Sequence, residues 1–97
     1  MQKKKNRSII QANNEYCYVC GKPNPTDEHH IFGGGNRNKS DEDGMIIYLH
    51  RSCHRWLHDH PISANTYKIR GQKIWELKKG SRDDFIKRYG KSYILED

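Results

Sequence analysis

Three motifs dominate this sequence: Cys17-Tyr-Val-Cys20, Glu28-His29-His30-Ile31-Phe32 and His50-Arg-Ser-Cys53-His54-Arg-Trp-Leu-His58. The interval from Cys17 to His58 holds all three cysteines and five of the six histidines. An apolar core does not require such a concentration of thiols and imidazoles, whereas metal binding does. The spacing divides these side chains into two sets, and we expect one set to be structural and the other to be chemical.

The first set consists of two pairs, Cys17 with Cys20 and His50 with Cys53, each with two residues between its members. A pair spaced in this way can grip one side of a tetrahedral zinc ion, and a Cys₃His set suits zinc because thiolates are soft ligands and imidazole is borderline. Gly21 permits a tight turn after the first pair, which is typical of a zinc knuckle. The sequence therefore predicts a structural Zn²⁺ site, the alternative being unrelated buried thiols.

The second set comprises His29, His54 and His58. His54 and His58 are four residues apart, so on a helix they project from one face. We expect the three imidazoles to hold a divalent cation. His30 alternates to the opposite side of a strand from His29, and a histidine that titrates near neutral pH suits the role of general base. A base that activates water and a cation that offsets charge are what phosphodiester hydrolysis requires.

Length and composition limit the number of domains, the cellular location and the type of partner. The 97 residues make one domain, and a hydrophobic content of 33% leaves a thin core that a metal ion would help to hold together. Three cysteines cannot pair off completely, and the chain begins Met-Gln-Lys-Lys-Lys without a signal peptide, so we expect a reducing, cytoplasmic location. No apolar run approaches membrane-spanning length, so we expect no membrane partner. The formal charge of +6 favours a polyanionic partner.

We expect a small α+β fold in which residues 1–97 form a single domain. Residues 1–15 are a basic N-terminal tail, with either a short helix at 8–14 or a frayed end. Residues 16–60 contain the zinc knuckle, strands at 28–32 and 45–49 around a glycine-rich loop, and a helix after Cys53 that stops before Pro61. Residues 61–97 contain C-terminal helices at about 64–79 and 82–89, and Tyr67, Ile74, Trp75 and Leu77 are expected on the buried stripe of the first. Trp56 is expected to pack in the core.

The combined motifs resemble those of the small HNH endonucleases common in phage genomes. The resemblance spans residues 16–95 and rests on these segments: Cys-x-x-Cys at 17–20, Glu-His-His-Ile-Phe-Gly-Gly-Gly-Asn-Arg at 28–37, Tyr-Leu-x-x-x-Cys-His-Arg at 48–55 and Phe-x-x-x-Tyr-Gly-Lys-Ser-Tyr at 85–93. It implies a ββα-metal (His-Me finger) core and cation-dependent cleavage of DNA. It also implies that His29, His54 and His58 are metal ligands and that His30 is the general base. Mg²⁺, Mn²⁺, Ni²⁺ and Zn²⁺ all remain candidates for the catalytic cation.

The sequence departs from the family pattern in two places. The asparagine usual at the start of the second strand is absent, and Gly44 or Met45 stands there. Three residues of the preceding loop are candidates to brace the base instead: Asn36, Asn38 and Asp43. The second departure is His50, which stands where the family usually has a cysteine.

Four basic residues flank the predicted cation site and are expected to contact phosphates: Arg37, Lys39, Arg51 and Arg55. The leading interpretation is a metal-dependent HNH endonuclease that hydrolyses phosphodiester bonds in DNA, by nicking or by double-strand cutting. The alternative is a non-catalytic zinc-binding module that grips nucleic acid. The missing asparagine favours the alternative, whereas the His29–His30 pair favours the enzyme. An adaptor that binds another protein is a third possibility.

Overall fold

The computed structural model describes residues 5–95, and within them it has four α-helices and one two-stranded antiparallel sheet. The elements follow in the order β1 (Asp27–His30), α1 (Arg37–Glu42), β2 (Ile46–Leu49), α2 (Arg51–Asp59), α3 (Pro61–Lys78) and α4 (Arg82–Tyr89). The prediction of a small α+β fold is confirmed. A 3₁₀ turn, Gly34–Asn36, precedes α1, so the glycine-rich segment is partly helical where the sequence predicted only a loop.

The hairpin of β1 and β2 lies at the centre of the domain. Asp27 pairs with Leu49, and His30 pairs with Ile46. All four residues of β2 are buried, because helices pack on one side and the N-terminal segment covers the other. The Tyr48 hydroxyl accepts a hydrogen bond from the backbone N–H of Arg7 at 3.1 Å. A lone two-stranded sheet is marginal in water, so this covering on both sides holds the hairpin in place.

The N-terminal segment is neither a helix nor a frayed end across residues 5–15. The Ser8 hydroxyl accepts from the backbone N–H of Ile10 at 3.0 Å and of Gln11 at 2.9 Å, which closes a turn that no helix follows. The buried Gln11 side chain donates to the Asn13 and Tyr16 carbonyls and accepts from the N–H of Tyr48. Such side-chain bonds to the backbone compete with a helical ladder, which explains the difference. Residues 1–4 of the predicted basic tail lie outside the described residues.

The C-terminal helices hold the far end of β1. Phe32, which follows β1, packs its ring against Phe85 at 5.3 Å and Tyr89 at 4.6 Å between centroids, and both belong to α4. The start of α4 carries a capping box between Ser81 and Asp84, and Gly90 ends the helix in the left-handed conformation at φ 96°. These contacts fix the chain immediately after His30 and therefore help to position it.

The structure corrects two expectations about burial. Leu77 is 84% exposed, although it was expected on the buried stripe of α3, whereas Trp75 is buried as predicted. Trp56 is 43% exposed and stacks on His60 with 3.9 Å between ring centroids, so it is not a core residue. Leu57, the next residue along α2, is buried. The face of α2 that carries Trp56 therefore points away from the hairpin.

Candidate metal centre and histidine cluster

The predicted zinc ligands come together in the fold. The ligand atoms of Cys17, Cys20, His50 and Cys53 all lie within 4.8 Å of one another. Zinc–sulfur distances of about 2.3 Å in a tetrahedron place ligand atoms roughly 3.5 to 4 Å apart, so little movement would be needed to bind an ion. The donor set, three thiols and one imidazole, is chemically suited to zinc. The structure thus has a possible Cys₃His metal site that is consistent with structural Zn²⁺.

Local backbone chemistry arranges these ligands. In the knuckle, the Gly21 N–H donates to the Cys17 carbonyl at 2.9 Å, and Gly21 adopts φ 78°, a conformation that favours glycine. The Cys20 N–H donates to the Cys17 sulfur at 3.4 Å, as in metal-bound knuckles where backbone N–H groups stabilise thiolates. His50 is the N-cap residue of α2, and Cys53 lies in the first turn of that helix. The site therefore joins the knuckle to the start of α2.

His50 is oriented for metal binding through Nδ1. Its Nε2 lies 2.8 Å from the Pro23 carbonyl oxygen, which can only accept, so Nε2 carries the proton. The lone pair is then on Nδ1, which lies 3.3 Å from the Cys20 sulfur. A backbone carbonyl that fixes the tautomer of a ligand histidine is a common feature of metal sites. The surroundings of His50 therefore support its place as the fourth member of the Cys₃His group.

Crowding of the thiols affects their protonation. Burial, followed by the neighbouring thiols of Cys17 and Cys20, raises the pKa of Cys53 to about 11. The pKa of Cys20 is lowered, first of all by a hydrogen bond from the backbone at Lys22. A cation at the centre of the group would offset the cost of ionising these thiols, because zinc binds cysteine as the thiolate.

The histidine cluster, defined as His29, His54 and His58, forms where β1 packs on α2. The ring centroids are 4.9 Å apart for His29 and His54, 5.0 Å for His54 and His58, and 6.3 Å for His29 and His58. Between residues 5 and 95, the Cys₃His group is the one set of potential ligands whose ligand atoms all lie within 4.8 Å of one another. The imidazoles of the histidine cluster are therefore spaced more widely than the ligands of the Cys₃His group. The three predicted imidazoles are nevertheless neighbours on one side of the hairpin.

Asp27 braces the cluster, and the sequence analysis did not identify it. Its Oδ2 lies 3.0 Å from Nδ1 of His54, and this hydrogen bond is the main cause of the lowered pKa of Asp27. A carboxylate accepts the proton on Nδ1, so the lone pair of neutral His54 is on Nε2 and can serve a metal. Alternation along β1 puts Asp27 on the same face as His29, which is a signal that sequence inspection could have used.

His29 is neutral at physiological pH. Burial, followed by the neighbouring His54 and His58, lowers the pKa of His29 to about 4. Desolvation of a partly buried imidazole penalises its charged form, and a second and third imidazole nearby add to that penalty. A neutral imidazole keeps its lone pair for a cation, so protons compete weakly with metal binding at this residue.

His30, the predicted base, lies on the other side of β1 and makes a different contact. Its Nε2 lies 3.0 Å from Oδ1 of Asp41, in α1. The pKa of Asp41 is lowered, first by this hydrogen bond and then by that from Arg7. Asp41 was not among the residues expected to brace the base.

The three residues expected to brace the base have other positions. Asn36 donates to the Tyr89 carbonyl at 2.9 Å, and Asn38 is exposed. Asp43 accepts from the side chains of Trp75, Arg88 and Tyr89. Both Asn36 and Asp43 therefore tie α1 to the C-terminal helices, a tertiary role that has no signature in the local sequence.

One open cavity of about 450 Å³ adjoins the histidine cluster. Its lining includes His29, His30, His54 and His58, which makes it the place where a cation and a base could act on the same ligand. Two basic side chains, Arg37 and Lys68, also line it. Lys68, from α3, was not identified from the sequence because it lies ten residues beyond the last histidine of the cluster.

The predicted phosphate contacts divide into two groups. Arg37 and Arg55 are exposed, and the Arg51 side chain is 78% exposed with its Nη2 3.5 Å from Asp27. The ammonium of Lys39 donates to the Arg88 carbonyl at 2.7 Å and so helps to hold the end of α4. Three of the four predicted residues therefore present their charge to solvent, and Arg37 also lines the cavity.

Comparison of the chain with protein-family models, with curated proteins and with solved structures finds no match. No helix between residues 5 and 95 has both the length and the apolar character needed to cross a lipid bilayer. Fold class does not determine function, so function is inferred from the chemistry of the site.

We predict that His54→Ala or His58→Ala weakens cation binding at the histidine cluster and leaves the Cys₃His site intact. Each variant removes one imidazole from a three-imidazole set, and the two sites share no residue. Titration of the zinc-loaded variants with Mn²⁺ or Ni²⁺ should show a loss of affinity of at least about tenfold, with one zinc per chain retained. His60→Ala is the matched control, since His60 contacts Trp56 outside the cluster. Simultaneous loss of both ions would show that the ligands are divided differently.

Proposed function

We propose that this protein is a metal-dependent HNH endonuclease that hydrolyses phosphodiester bonds in DNA. The observation that carries the proposal is that His29, His30, His54 and His58 all line one cavity, apart from a Cys₃His site that uses none of them. The antiparallel pair of β1 and β2, followed by α2, supports a ββα-metal core, and residues of β1 and α2 line the cavity. A protein that only binds nucleic acid has no need of a second imidazole set opening on a cavity.

The four histidines would have two roles in hydrolysis, cation binding and proton transfer. His29, His54 and His58 would hold the cation, which when bound supplies Lewis acidity to offset charge on the phosphate and on the leaving oxygen. His30 would accept a proton from the attacking water through the ring nitrogen that does not contact Asp41. Bond formation between that water and phosphorus then releases the sugar oxygen, which takes up a proton as it leaves.

The surroundings of the cavity suit a polyanion. Arg37 and Lys68 line it, and Arg51 and Arg55 extend the positive charge along α2. With a formal net charge of +6, the chain would bind the DNA backbone largely by counterion release. These contacts position a duplex or a single strand without reading its sequence.

The second candidate is a non-catalytic zinc-binding module that binds nucleic acid. The openness of the histidine cluster and the absence of the family asparagine favour it. Both candidates share the Cys₃His site and the basic surface, so only turnover distinguishes them.

A plasmid-nicking assay tests the proposal. Zinc-loaded protein should convert supercoiled plasmid to nicked or linear DNA with at least one of Mg²⁺, Mn²⁺, Ni²⁺ and added Zn²⁺, and a weak chelator that spares the tight site should stop the reaction. A His29→Ala/His58→Ala double variant, purified in parallel, controls for a contaminating nuclease. If no metal supports cleavage while the protein still retards DNA in a gel, the binding module is the correct function.

A further inference from the structure

The contact between His30 and Asp41 determines which nitrogen of His30 can act as a base. The His30 side chain is only 12% exposed, and its Nε2 lies 3.0 Å from Oδ1 of Asp41. A carboxylate oxygen can only accept, so neutral His30 carries its proton on Nε2 and its lone pair on Nδ1. The tautomer and the ring plane are therefore set by a side chain on α1, eleven residues further along the chain.

Asp41 is itself held from the N-terminal segment. Arg7 donates through Nη1 to the same Oδ1 at 3.1 Å and through Nη2 to Oε1 of Glu28 at 3.0 Å. The backbone N–H of Arg7 donates to the Tyr48 hydroxyl, which anchors the arginine over the hairpin. Arg7 thus joins the carboxylate of Glu28 on β1 to that of Asp41 on α1, and Asp41 contacts His30.

We propose that Asp41, held by Arg7, is the positioning residue that directs Nδ1 of His30 toward the water to be deprotonated. This inference rests on the proposed endonuclease function. Asp41 would orient the base in place of the missing asparagine. Orientation is worth a large factor in rate, since a misplacement of about 1 Å at a reacting group can cost on the order of 100-fold.

The contact between Arg7 and residue 41 also allows the effect of Asp41→Asn to be predicted. A guanidinium has only donors, so the atom that it contacts must be an acceptor. In Asp41→Asn, Arg7 would hold the amide oxygen where Oδ1 is now, and that oxygen would still accept from Nε2 of His30. Without Arg7 the amide could turn its NH₂ group toward His30, which would move the ring proton to Nδ1 and remove the base.

The experiment compares Asp41→Ala, Asp41→Asn and the double variant Arg7→Met/Asp41→Asn with the parent chain, all zinc-loaded. Glu42→Ala is the matched control, because Glu42 lies in the same helix, is exposed, and pairs with Arg88 instead of His30. For each variant, kcat and KM are measured on plasmid, and the ¹⁵N NMR signals of the imidazoles report the tautomer of His30. The His30→Ala spectrum assigns those signals.

We expect Asp41→Ala to lower kcat about 100-fold with KM little changed, and to give His30 a mixture of tautomers. Asp41→Asn should restore most of the rate and the Nε2–H tautomer, whereas the double variant should lose both. Glu42→Ala should match the parent. If Asp41→Ala does not fold, the comparison of Asp41→Asn with the double variant decides the question.

Three results overturn the inference while the endonuclease function stands. Two of them are an active parent with Asp41→Ala equally fast, and an active parent with an unchanged His30 tautomer in Asp41→Ala. An Asp41→Asn variant as slow as Asp41→Ala also overturns it, because charge alone would then matter. A parent that cuts nothing in any metal overturns the function, and the inference with it.

Discussion

Removal of zinc from the Cys₃His site is expected to abolish most of the cooperative thermal unfolding transition. The four ligands join the knuckle to the start of α2, and no disulfide links these segments, since the cysteines are free. Binding of structural zinc contributes about 10 to 16 kcal/mol to folding in small domains at neutral pH. That range meets or exceeds the whole stability of about 5 to 15 kcal/mol typical of a native protein. The domain is therefore expected to need the ion.

Thermal melts followed by circular dichroism, with and without a strong chelator, test this expectation. Cys53→Ala should reproduce the effect of the chelator, and added zinc should restore the transition only in the parent. Ser52→Ala is the matched control, because Ser52 is exposed and adjacent to Cys53 in α2. A metal-free chain that melts as the zinc-loaded chain does would show that the site has no structural role.

Features that depend on neighbouring residues could be predicted from the sequence. The Cys₃His group was found because each pair of ligands is local, with spacing that metal coordination imposes. The helix at about 82–89 was predicted for the same reason, because a helix cap and a terminating glycine are local signals. In each case, the residues that give the signal lie within a few positions of one another in the chain.

Features that depend on packing between distant segments could not be predicted. Lys39 helps to hold the end of α4, while Gln11 fills the space beside β2 and prevents a helix. The exposure of Leu77 and Trp56 depends on where neighbouring elements end. Periodicity identifies a stripe of apolar residues on a helix but does not say how far along the helix the core extends.

The two carboxylates that contact the histidines, Asp27 and Asp41, differ in the same way: the position of one could be predicted from neighbouring residues, and that of the other could not. Asp27 shares a face of β1 with His29, so strand alternation alone places it near the cluster. Asp41 reaches His30 only because α1 folds back over β1, and the sequence predicted no helix there. The catalytic assignment of the histidine cluster stays a prediction, which substitution of the base tests most directly.

His30→Ala is expected to lower the cleavage rate by about 10²- to 10⁴-fold, the usual contribution of a positioned general base. Alternation along β1 separates His30 from His29, and the His30 imidazole contacts Asp41 rather than the other histidines. The variant should therefore keep its zinc and its affinity for the second cation. It should also bind DNA with the salt dependence of the parent, because binding rests on the basic surface.

Single-turnover cleavage, metal titration and gel retardation at several salt concentrations separate these effects. His29→Ala should lose cleavage together with cation affinity, whereas His30→Ala should lose cleavage alone, and His60→Ala should lose neither. This contrast assigns adjacent imidazoles to different roles, as their opposite sides of β1 require. If His30→Ala cuts as fast as the parent while His29→Ala is inactive, the base lies elsewhere in the cavity, and Asp41 positions no catalytic group.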